Sequence, residues 1–358
     1  MTTLALLPGD GIGPEITAAT QQVLQTASEV YDLGLSFQQI DIGFAALQAH
    51  GSTFPDTAFA QIEQCDGIVL GPVSHNAYPP RTEGGLNPSG ELRKRLDLYA
   101  NIRPALSRAG IPPKAGIPLD LVVVRENTEG FYADRNLAQG PGEILVTDDV
   151  ALAFRRITRQ ACMRIAAEGF RLAKARTGRV TAVHKANVMR TSCGLFLDCC
   201  RQFAAQNPEV DYQEQLVDAM CAHLVKAPDR HDVIITTNMF GDILSDLASE
   251  LSGSLGLAAS LNAGEERAMA QAQHGSAPDI AGQDLANPTS LIGSAAMLLD
   301  WMGRKHQSEA LSQAASGIDA ALESVLSDPN QRTRDLGGQS GTQAFTEAVV
   351  TALKTLRN

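Results

Sequence analysis

Short apolar runs recur along the chain at intervals that leave room for helices between them. The runs of β type are "TLALL" near residue 3, "GIVLG" near 67, "LDLVVV" near 119, "RVTAV" near 179 and "DVIITT" near 232. Helical patterns lie between several of them, and one apolar face after Pro14 is formed by Ile16, Val23, Leu24 and Ala27. Strands that alternate with helices predict an α/β protein with a largely parallel sheet.

The remaining segments divide into long loops and a helical tail. The stretches at 74–90 and 136–143 are rich in proline and glycine and too long for simple turns, and such loops are more often functional than idle. The segment "QHGSAPDIAGQDLANPTS" is too irregular for a helix or a strand, so we expect a structured loop there. From about residue 288 onward the pattern predicts helices, of which "SLIGSAAMLLDWM" is the most apolar.

Composition narrows the class of partner. The chain of 358 residues is long enough for two domains, or for one large α/β domain with an appendage, and its 44% hydrophobic content is that of a globular protein with a sizeable core. A net charge of −11 argues against a nucleic-acid backbone or an anionic membrane as the main partner, because both would be repelled. A small anionic ligand would therefore need a local basic pocket.

The cysteines and the apolar segments indicate the cellular compartment of the protein. None of the six cysteines forms a CxxC pair, which excludes a zinc ribbon and a dithiol redox motif. No basic leader precedes the first apolar run, and no apolar stretch approaches the length of a membrane span. These features predict a cytoplasmic protein with reduced, packed thiols.

Two carboxylates follow the apolar run "DVIITT" in the segment "FGDILSD". If this segment is helical, Asp242 and Asp246 share one face, where like charges repel unless a positive charge lies between them. A hard divalent cation, Mg²⁺ or Mn²⁺, would supply this positive charge, since the two carboxylates and Asp218 in "VDAM" form an oxygen-rich set that suits it. The alternative, acidic residues favoured by a helix dipole, accounts for Asp242 but not for Asp246.

Three arginines form the second candidate group. Arg93 and Arg103 lie ten residues apart in "LRKRLDLYANIRP", and Arg125 ends an apolar strand in "VVVREN". A guanidinium at the carboxyl end of a strand faces the crevice where open α/β sheets bind ligands, and three of them near strand ends suit a polycarboxylate. Any one of them alone would be interpreted as a solvated surface charge.

Other motifs are less specific. "LLPGDGIGPE" is a glycine-rich turn that lacks both the P-loop lysine and the GxGxxG register, so it favours a tight turn over a nucleotide site. Lys185 follows another apolar run, where a lysine at the rim of a buried site can act as an acid or a base. His184 beside it is interpreted as a packing or surface histidine.

Taken together, these motifs resemble the β-decarboxylating dehydrogenases, the family of isocitrate, homoisocitrate, 3-isopropylmalate and tartrate dehydrogenases. The likeness runs through "PGDGIGPEI", "LRKRLDLYANIRP", "RENTEGFY", "HKANVM", "VDAM", "NMFGDILSDLASEL" and "HGSAPDIAGQDLANP". It covers nearly the whole chain, and the spacing agrees as well as the residues.

The resemblance implies a fold and an assembly. The fold would be isocitrate/isopropylmalate dehydrogenase-like, with two domains around a mixed, largely parallel sheet, and unlike a Rossmann fold. A discontinuous cofactor-binding domain would take residues 1–100 and 254–358, and a substrate-binding and dimerisation domain would take 101–253. The active unit would be a homodimer in which Lys185 and Asp218 enter the partner's active site.

The resemblance also implies a role for single residues. Arg93, Arg103 and Arg125 would bind substrate carboxylates, Tyr132 and Lys185 would transfer protons, and the metal ligands would be Asp218, Asp242 and Asp246. The cofactor NAD would be held by Ile12, His274, Gly275, Asp279, Ile280 and Asn287. The implied reaction is the oxidative decarboxylation of a 2-hydroxy polycarboxylate, with Mg²⁺ or Mn²⁺ at the hydroxyl and the neighbouring carboxylate.

The segment before Arg93 departs from the family pattern and bears on the substrate. Family members read the side group of the substrate there, with leucines in isopropylmalate enzymes and with a serine and an asparagine in isocitrate enzymes. This chain has Asn87 and Ser89, which an isopropyl group would leave desolvated at a cost. We therefore expect isocitrate or homoisocitrate, with 3-isopropylmalate or a tartrate/malate-type substrate as the alternative.

The alternative from a different class of protein is a subunit that regulates without catalysing. The chain would be a non-catalytic regulatory subunit of such an enzyme if it bound the ligands without turning them over. Retention of Tyr132, Lys185 and the three aspartates argues against this, because a regulatory subunit has no chemical need for them.

The cofactor preference is predicted from "HGSAPDI". An acidic residue in a dinucleotide site accepts hydrogen bonds from the ribose hydroxyls of NAD, and Asp279 would repel the 2′-phosphate of NADP. NADP-dependent relatives tend to carry a lysine and a tyrosine at the positions of Asp279 and Ile280. The alternative is that Asp279 only caps the turn after Pro278.

Overall fold

The computed structural model describes residues 2–132 and 142–356. The strands are β1 (Thr2–Leu7), β2 (Leu35–Gln39), β3 (Gly67–Leu70), β4 (Ala100–Leu106), β5 (Asp120–Glu126), β6 (Glu143–Thr147), β7 (Val150–Ala153), β8 (Arg179–His184), β9 (Asp211–Leu216), β10 (Val233–Thr236), β11 (Leu261–Ala263) and β12 (Ala268–Gln271). The helices are α1 (Gly13–Tyr31), α2 (Gly43–His50), α3 (Asp56–Ile62), α4 (Pro88–Arg95), α5 (Arg159–Lys174), α6 (Arg190–Gln206), α7 (Val217–Lys226), α8 (Asn238–Ser252), α9 (Thr289–His306), α10 (Glu309–Ser327) and α11 (Thr342–Leu356).

Ten of these strands form one mixed sheet in the order β2-β1-β3-β12-β11-β4-β5-β10-β8-β9. The first four run parallel to one another, and so do the last four. Between them β11 and β4 pair antiparallel with their neighbours and join the two halves. The prediction of an α/β fold with a mixed, largely parallel sheet is confirmed.

The order of strands separates the chain into an outer and a central part. The half from β2 to β11 is built from the two ends of the chain, and the half from β4 to β9 is built from its middle. The predicted boundary at 253/254 falls between α8 and β11, and the one at 100/101 falls one residue inside β4. The division into two domains stays a proposal, which this strand order supports.

The apolar runs of the sequence form the buried centre of each half. All five of them became strands, and β3 and β10 are buried at every position. The helical tail is also confirmed, since α9, α10 and α11 follow one another and α9 and α10 supply buried leucines and alanines to the main core. In the described part of the chain no helix has the length and apolar character needed to cross a bilayer.

The predicted loops are present where the structure describes them. Residues 74–87 carry two short 3₁₀ turns and lead into α4, which begins at Pro88. The segment 272–288 is a loop with a single 3₁₀ turn at Pro278–Ile280, ahead of α9. Of the predicted loop at 136–143, residues 136–141 lie outside the described residues.

Candidate active site

Three loops meet where parallel strands end at one edge of the sheet. They follow β1, β3 and β12, which run in the same direction, and comprise residues 8–12, 71–87 and 272–288. The Ile12 N–H donates to the Ser276 carbonyl at 2.8 Å, and the Ser74 and Ser276 hydroxyls are 2.7 Å apart. Gly11 has a positive φ of 58°, and a Cβ there would lie 2.0 Å from the Ser276 oxygen, so the first loop needs a glycine to approach the third.

Asp10 holds two of these loops together, a role that sequence reasoning missed. Its buried carboxylate accepts the backbone N–H of Phe44 and that of Ser74, each at 2.9 Å, and also the hydroxyl of Tyr78. The motif "PGDGIG" therefore acts as a tight turn whose aspartate fixes the start of the loop that follows β3. Its role as a structural turn agrees with the first interpretation of its sequence.

Two of these loops, 71–87 and 272–288, line a cavity of about 670 Å³. Its charged lining consists of four arginines and two carboxylates, which are Arg81, Arg93, Arg103, Arg125, Glu91 and Asp242. The formal net charge of this lining is positive, although the whole chain carries −11. The cavity is thus a local basic pocket of the kind that a small polyanion requires.

Arg125 lies at the carboxyl end of β5, as predicted, and is almost fully buried. Its Nε donates to Asn238 Oδ1 at 2.9 Å, and its Nη1 forms an ion pair with Asp242. A Cβ on Gly241 would lie 2.6 Å from the Arg125 side chain, so the glycine of "FGDILSD" allows α8 to pack directly on this arginine. The guanidinium is therefore fixed from two sides while it lines the cavity.

Arg103 supplies positive charge between the two carboxylates of α8. Its Nη1 lies 3.2 Å from an oxygen of Asp242, 3.2 Å from an oxygen of Asp246 and 2.8 Å from the Ser245 hydroxyl. Burial and the nearby Arg125 lower the pKa of Arg103 to about 10, so the guanidinium remains charged at neutral pH. The expectation that Asp242 and Asp246 share one helical face is confirmed.

The electrostatics of Asp242 favour its charged form. Burial by itself would raise the pKa of this carboxyl, but Arg125 and Arg103 outweigh burial, and the pKa falls below its ordinary value. Both arginines contact the same oxygen, Oδ1. The carboxylate therefore stays ionised across the physiological range.

Tyr132 joins this cluster through two hydrogen bonds. Its hydroxyl donates to Asp242 Oδ2 at 2.8 Å and accepts from Arg125 Nη2 at 2.7 Å. Burial raises the pKa of the phenol, and the neighbouring Asp242 adds to the rise while Arg125 opposes it. The tyrosine keeps its proton at neutral pH and holds it inside the cavity.

Arg93 and the polar residues before it form another wall of the cavity. Arg93 Nη2 donates to Gln271 Oε1 at 2.9 Å, and the Ser89 hydroxyl donates to the same oxygen at 3.1 Å. Asn87 is the N-cap of α4, where its Oδ1 accepts the Gly90 N–H at 3.3 Å. Asn87 and Ser89 both line the cavity.

The three predicted arginines meet in this cavity, but one part of the reasoning was wrong. Only Arg125 lies at the carboxyl end of a strand, because Arg93 is in the last turn of α4 and Arg103 is in the middle of β4. They converge because α4 leads directly into β4, which then pairs with β5.

The predicted cofactor residues lie around the loop 272–288. His274 and Gly275 line the cavity, and His274 Nε2 is buried with no hydrogen-bond partner among the described residues. Burial lowers the pKa of this imidazole, so it is neutral at pH 7. A buried ring nitrogen without a partner in the cavity wall fits a site that is completed by a ligand.

The other cofactor candidates differ in exposure. Asp279 is exposed in the 3₁₀ turn, and Ile280 packs partly buried against the main core. Asn287 is buried and donates to Asp335 at 3.0 Å. Asp335 was missed in the sequence because it lies 48 residues further along in a short turn.

Lys185 and Asp218 lie apart from the other candidates. Lys185 follows β8 and Asp218 is in the first turn of α7, and their side chains form an ion pair at 2.6 Å. Among the residues described, neither of the two lines the cavity that holds Tyr132 and Asp242. One chain therefore brings together the arginines, Tyr132, Asp242 and Asp246, but not this pair.

The donor set fits a hard divalent cation. Asp242 and Asp246 offer carboxylate oxygens on one helical face, and Mg²⁺ and Mn²⁺ prefer such ligands. Within residues 2–132 and 142–356, no three acidic, histidine or cysteine side chains come together as one cation site, and Asp218 pairs with Lys185. This chain alone thus offers two of the three predicted ligands together.

Two glutamines of the site were also missed. Gln271 ends β12 and receives hydrogen bonds from Arg93, Ser89 and Asn262, while Gln273 donates to Asp246 at 2.8 Å. Their position at a strand end in "AMAQAQHG" was the available signal, since polar residues there face the ligand crevice of an α/β sheet.

Comparison with known proteins places the chain among characterised enzymes. Residues 3–349 match the family described as isocitrate/isopropylmalate dehydrogenase. The chain is 42% identical over 354 residues to the isocitrate/homoisocitrate dehydrogenase of Thermus thermophilus, and 41% identical over 356 residues to the 3-isopropylmalate dehydrogenase of Archaeoglobus fulgidus. These matches cover 99% of this chain, with 99% of the first relative and 100% of the second.

A solved structure agrees at the level of the fold. The crystal structure of isocitrate dehydrogenase from Methylococcus capsulatus superposes with a TM-score of 0.86 at 37% identity, covering 99% of this chain and 100% of that one.

Proposed function

The chain belongs to the isocitrate/isopropylmalate dehydrogenase family, and we propose that it catalyses the metal-dependent, NAD-linked oxidative decarboxylation of isocitrate or homoisocitrate. The observation that carries this proposal is the cavity in which four arginines outnumber two carboxylates. A guanidinium takes a carboxylate with a two-pronged hydrogen bond, and a substrate with two or three carboxylates would neutralise the excess charge.

The arginines would bind and orient the substrate. Arg125 and Arg103 are held by Asn238 and Ser245, so their guanidinium groups are already placed before the substrate arrives. Fixed donors of this kind lower the entropy lost when the substrate is oriented. Arg93, held by Gln271, would complete the set in the same cavity.

A bound Mg²⁺ or Mn²⁺ would acidify the 2-hydroxyl and stabilise the negative charge that develops on its oxygen. Asp242 and Asp246 would hold it, together with Asp218 of a second subunit. A bound dinucleotide would supply the hydride acceptor. Lys185 of the second subunit would take the proton of the 2-hydroxyl, and the 3-carboxy-2-oxo acid would lose CO₂ to leave an enolate. Tyr132 would protonate the enolate carbon, and its raised pKa supports the role because the phenol keeps its proton until then.

The cofactor would bind along the loop 272–288, to which the backbone of Ile12 is hydrogen-bonded at Ser276. His274 supplies a buried ring nitrogen without a partner in the described chain, and Gly275 lies beside it in the cavity wall. The exposed carboxylate of Asp279 supports NAD over NADP, because a 2′-phosphate beside it would be repelled.

We further propose that the active unit is a homodimer with shared active sites. Lys185 and Asp218 lie outside their own chain's cavity. Apolar side chains are also exposed after β8 and on α8, where Val188 is 70% exposed and Ile243 is 53% exposed. The hairpin of β6 and β7 also exposes apolar side chains, including Leu145 at 69%. Exposed apolar patches of this kind mark protein–protein contacts, and two copies would cover them.

The substrate is tested by a panel of 2-hydroxy acids. Purified protein with NAD and Mn²⁺ would be assayed for kcat/KM on isocitrate, homoisocitrate, 3-isopropylmalate, malate and tartrate. We expect isocitrate or homoisocitrate to lead, because Asn87 and Ser89 line the cavity and an isopropyl group cannot hydrogen-bond to them. A clear lead for 3-isopropylmalate would overturn this choice, and no turnover with any acid would favour the regulatory-subunit alternative.

A further inference from the structure

Gln273 lines the cavity and links the sheet to α8, the helix that carries Asp242 and Asp246. It follows β12 directly, and its side-chain Nε2 donates to Asp246 Oδ1 at 2.8 Å and to the Ser249 hydroxyl at 3.2 Å. Its own backbone N–H donates to the Ser290 hydroxyl at 3.2 Å. The amide is thus tied to the sheet, to α8 and to the start of α9.

The partner of the amide determines which way it faces. A carboxylate can only accept hydrogen bonds, so the NH₂ group must point to Asp246. The carbonyl Oε1 then points away, and it is buried without a hydrogen-bond partner among the residues of 2–132 and 142–356. A buried acceptor left open at the edge of a ligand cavity is a group that a ligand or a water is expected to complete.

Asp246 needs such a support more than Asp242 does. The side chain of Asp242 contacts Arg103, Arg125 and Tyr132. The side chain of Asp246 is 54% exposed, and its contact with Arg103 is to the same nitrogen that contacts Asp242. Without Gln273 the carboxylate would be held by one shared contact and would exchange orientations with solvent. A ligating carboxylate is usually oriented by a hydrogen bond to its other oxygen or to a neighbouring donor.

We propose that Gln273 is a positioning residue for the cation site: its NH₂ group holds the Asp246 carboxylate, and its Oε1 accepts a hydrogen bond from water bound to the cation. This rests on the proposed function, since it takes Asp242 and Asp246 as cation ligands. Gln273 itself transfers no proton and binds no cation.

Binding of Mn²⁺ alone tests the proposal without turnover. The free Mn²⁺ signal in electron paramagnetic resonance gives the dissociation constant for the full-length protein and for two variants. Gln273→Met keeps the length of the side chain but removes the amide, and loss of such a supporting hydrogen bond weakens metal binding by roughly 10- to 100-fold. Gln313→Met is the matched control, since Gln313 makes the same amide-to-carboxylate bond, at 2.9 Å to Glu309, on the exposed surface of α10.

The outcomes separate this proposal from the proposed function. We expect Gln273→Met to bind Mn²⁺ at least about tenfold more weakly at an unchanged melting temperature, with Gln313→Met within twofold of the unmodified protein. Equal Mn²⁺ affinity in Gln273→Met and the unmodified protein would refute the role of Gln273 and leave the function intact. If the unmodified protein bound Mn²⁺ no more tightly than the Asp246→Asn variant does, the cation site itself would be refuted, and the proposed function with it.

Discussion

Two inactive variants should restore each other's activity when they are mixed. The Lys185–Asp218 ion pair lies outside the cavity that holds Tyr132, so each active site would take Tyr132 from one chain and Lys185 from the other. Lys185→Ala and Tyr132→Phe would each remove one proposed proton-transfer group, and loss of such a group costs roughly 10²-fold or more in kcat. Both variant homodimers should therefore be almost inactive.

The size of the recovery follows from the geometry of the dimer. A mixed dimer has one site with both groups intact and one site that lacks both. If subunits exchange freely, half of the dimers are mixed, and the mixture regains about a quarter of the unmodified activity per site. Recovery on this scale is far above the roughly 1% expected of either variant alone.

The assay follows NADH formation after the two variants are mixed under mild denaturant and returned to native buffer. Lys185→Ala mixed with the double variant Lys185→Ala, Tyr132→Phe is the control, since no dimer in that mixture has an intact site. If the test mixture stays as inactive as this control while size-exclusion chromatography shows subunit exchange, Lys185 and Tyr132 act within one chain, and the shared-site reasoning is wrong.

Three further predictions follow from single features of the structure. Tyr132→Phe should lower kcat by roughly 10² with a smaller change in KM, because it removes a proton donor but leaves the arginines in place; a near-normal kcat at saturating substrate would exclude the tyrosine from proton transfer. NAD should be preferred over NADP by at least about tenfold in kcat/KM, equivalent to roughly 1.4 kcal/mol. The double variant Asp279→Lys, Ile280→Tyr should reduce or reverse this preference. Equal kcat/KM with NAD and NADP in the unmodified protein would refute the role of Asp279. His231 is buried. Burial, and to a smaller extent the nearby His223, lowers the pKa of His231 from 6.5 to about 4. Between these pH values the unfolded chain therefore takes up a proton at His231 that the folded chain does not. Stability should thus fall by at most about 3 kcal/mol as the pH drops from about 6.5 to about 4, and urea unfolding of His231→Gln should show a shallower fall; an identical pH dependence would contradict the assignment.

The sequence predicted the buried strands well, because a strand that is buried on both faces is apolar at nearly every position and is visible as a continuous apolar run. It did not predict β2 or β9, which lie at the two edges of the sheet and carry polar residues in "LSFQQ" and "DYQEQL". Nor did it predict β4, whose "ANIRPAL" places Asn101 and Arg103 in the middle of the sheet. Polar residues stand there because the strand forms part of the site, and local rules fail most often at such places.

The candidate site was predicted chiefly through the family resemblance and only in part from spacing. Spacing on one helix placed Asp242 beside Asp246, since a four-residue separation fixes a shared face. It could not show that Arg103 lies between them, because that contact joins residues 139 and 143 positions apart and depends on how α8 packs on β4. Gln273 and Asp335 were missed for the same reason, since each acts on a partner distant in sequence.

We propose that this protein couples oxidation of a 2-hydroxy polycarboxylate to loss of CO₂ and that it requires a divalent cation. The most direct measurement is the yield of NADH and of CO₂ from one sample of isocitrate or homoisocitrate, with Mn²⁺ present and after exhaustive chelation. We expect equal molar amounts of the two products with Mn²⁺, no product after chelation, and recovery when the cation is restored. Undiminished turnover after chelation, or NADH formed without CO₂, would contradict the account.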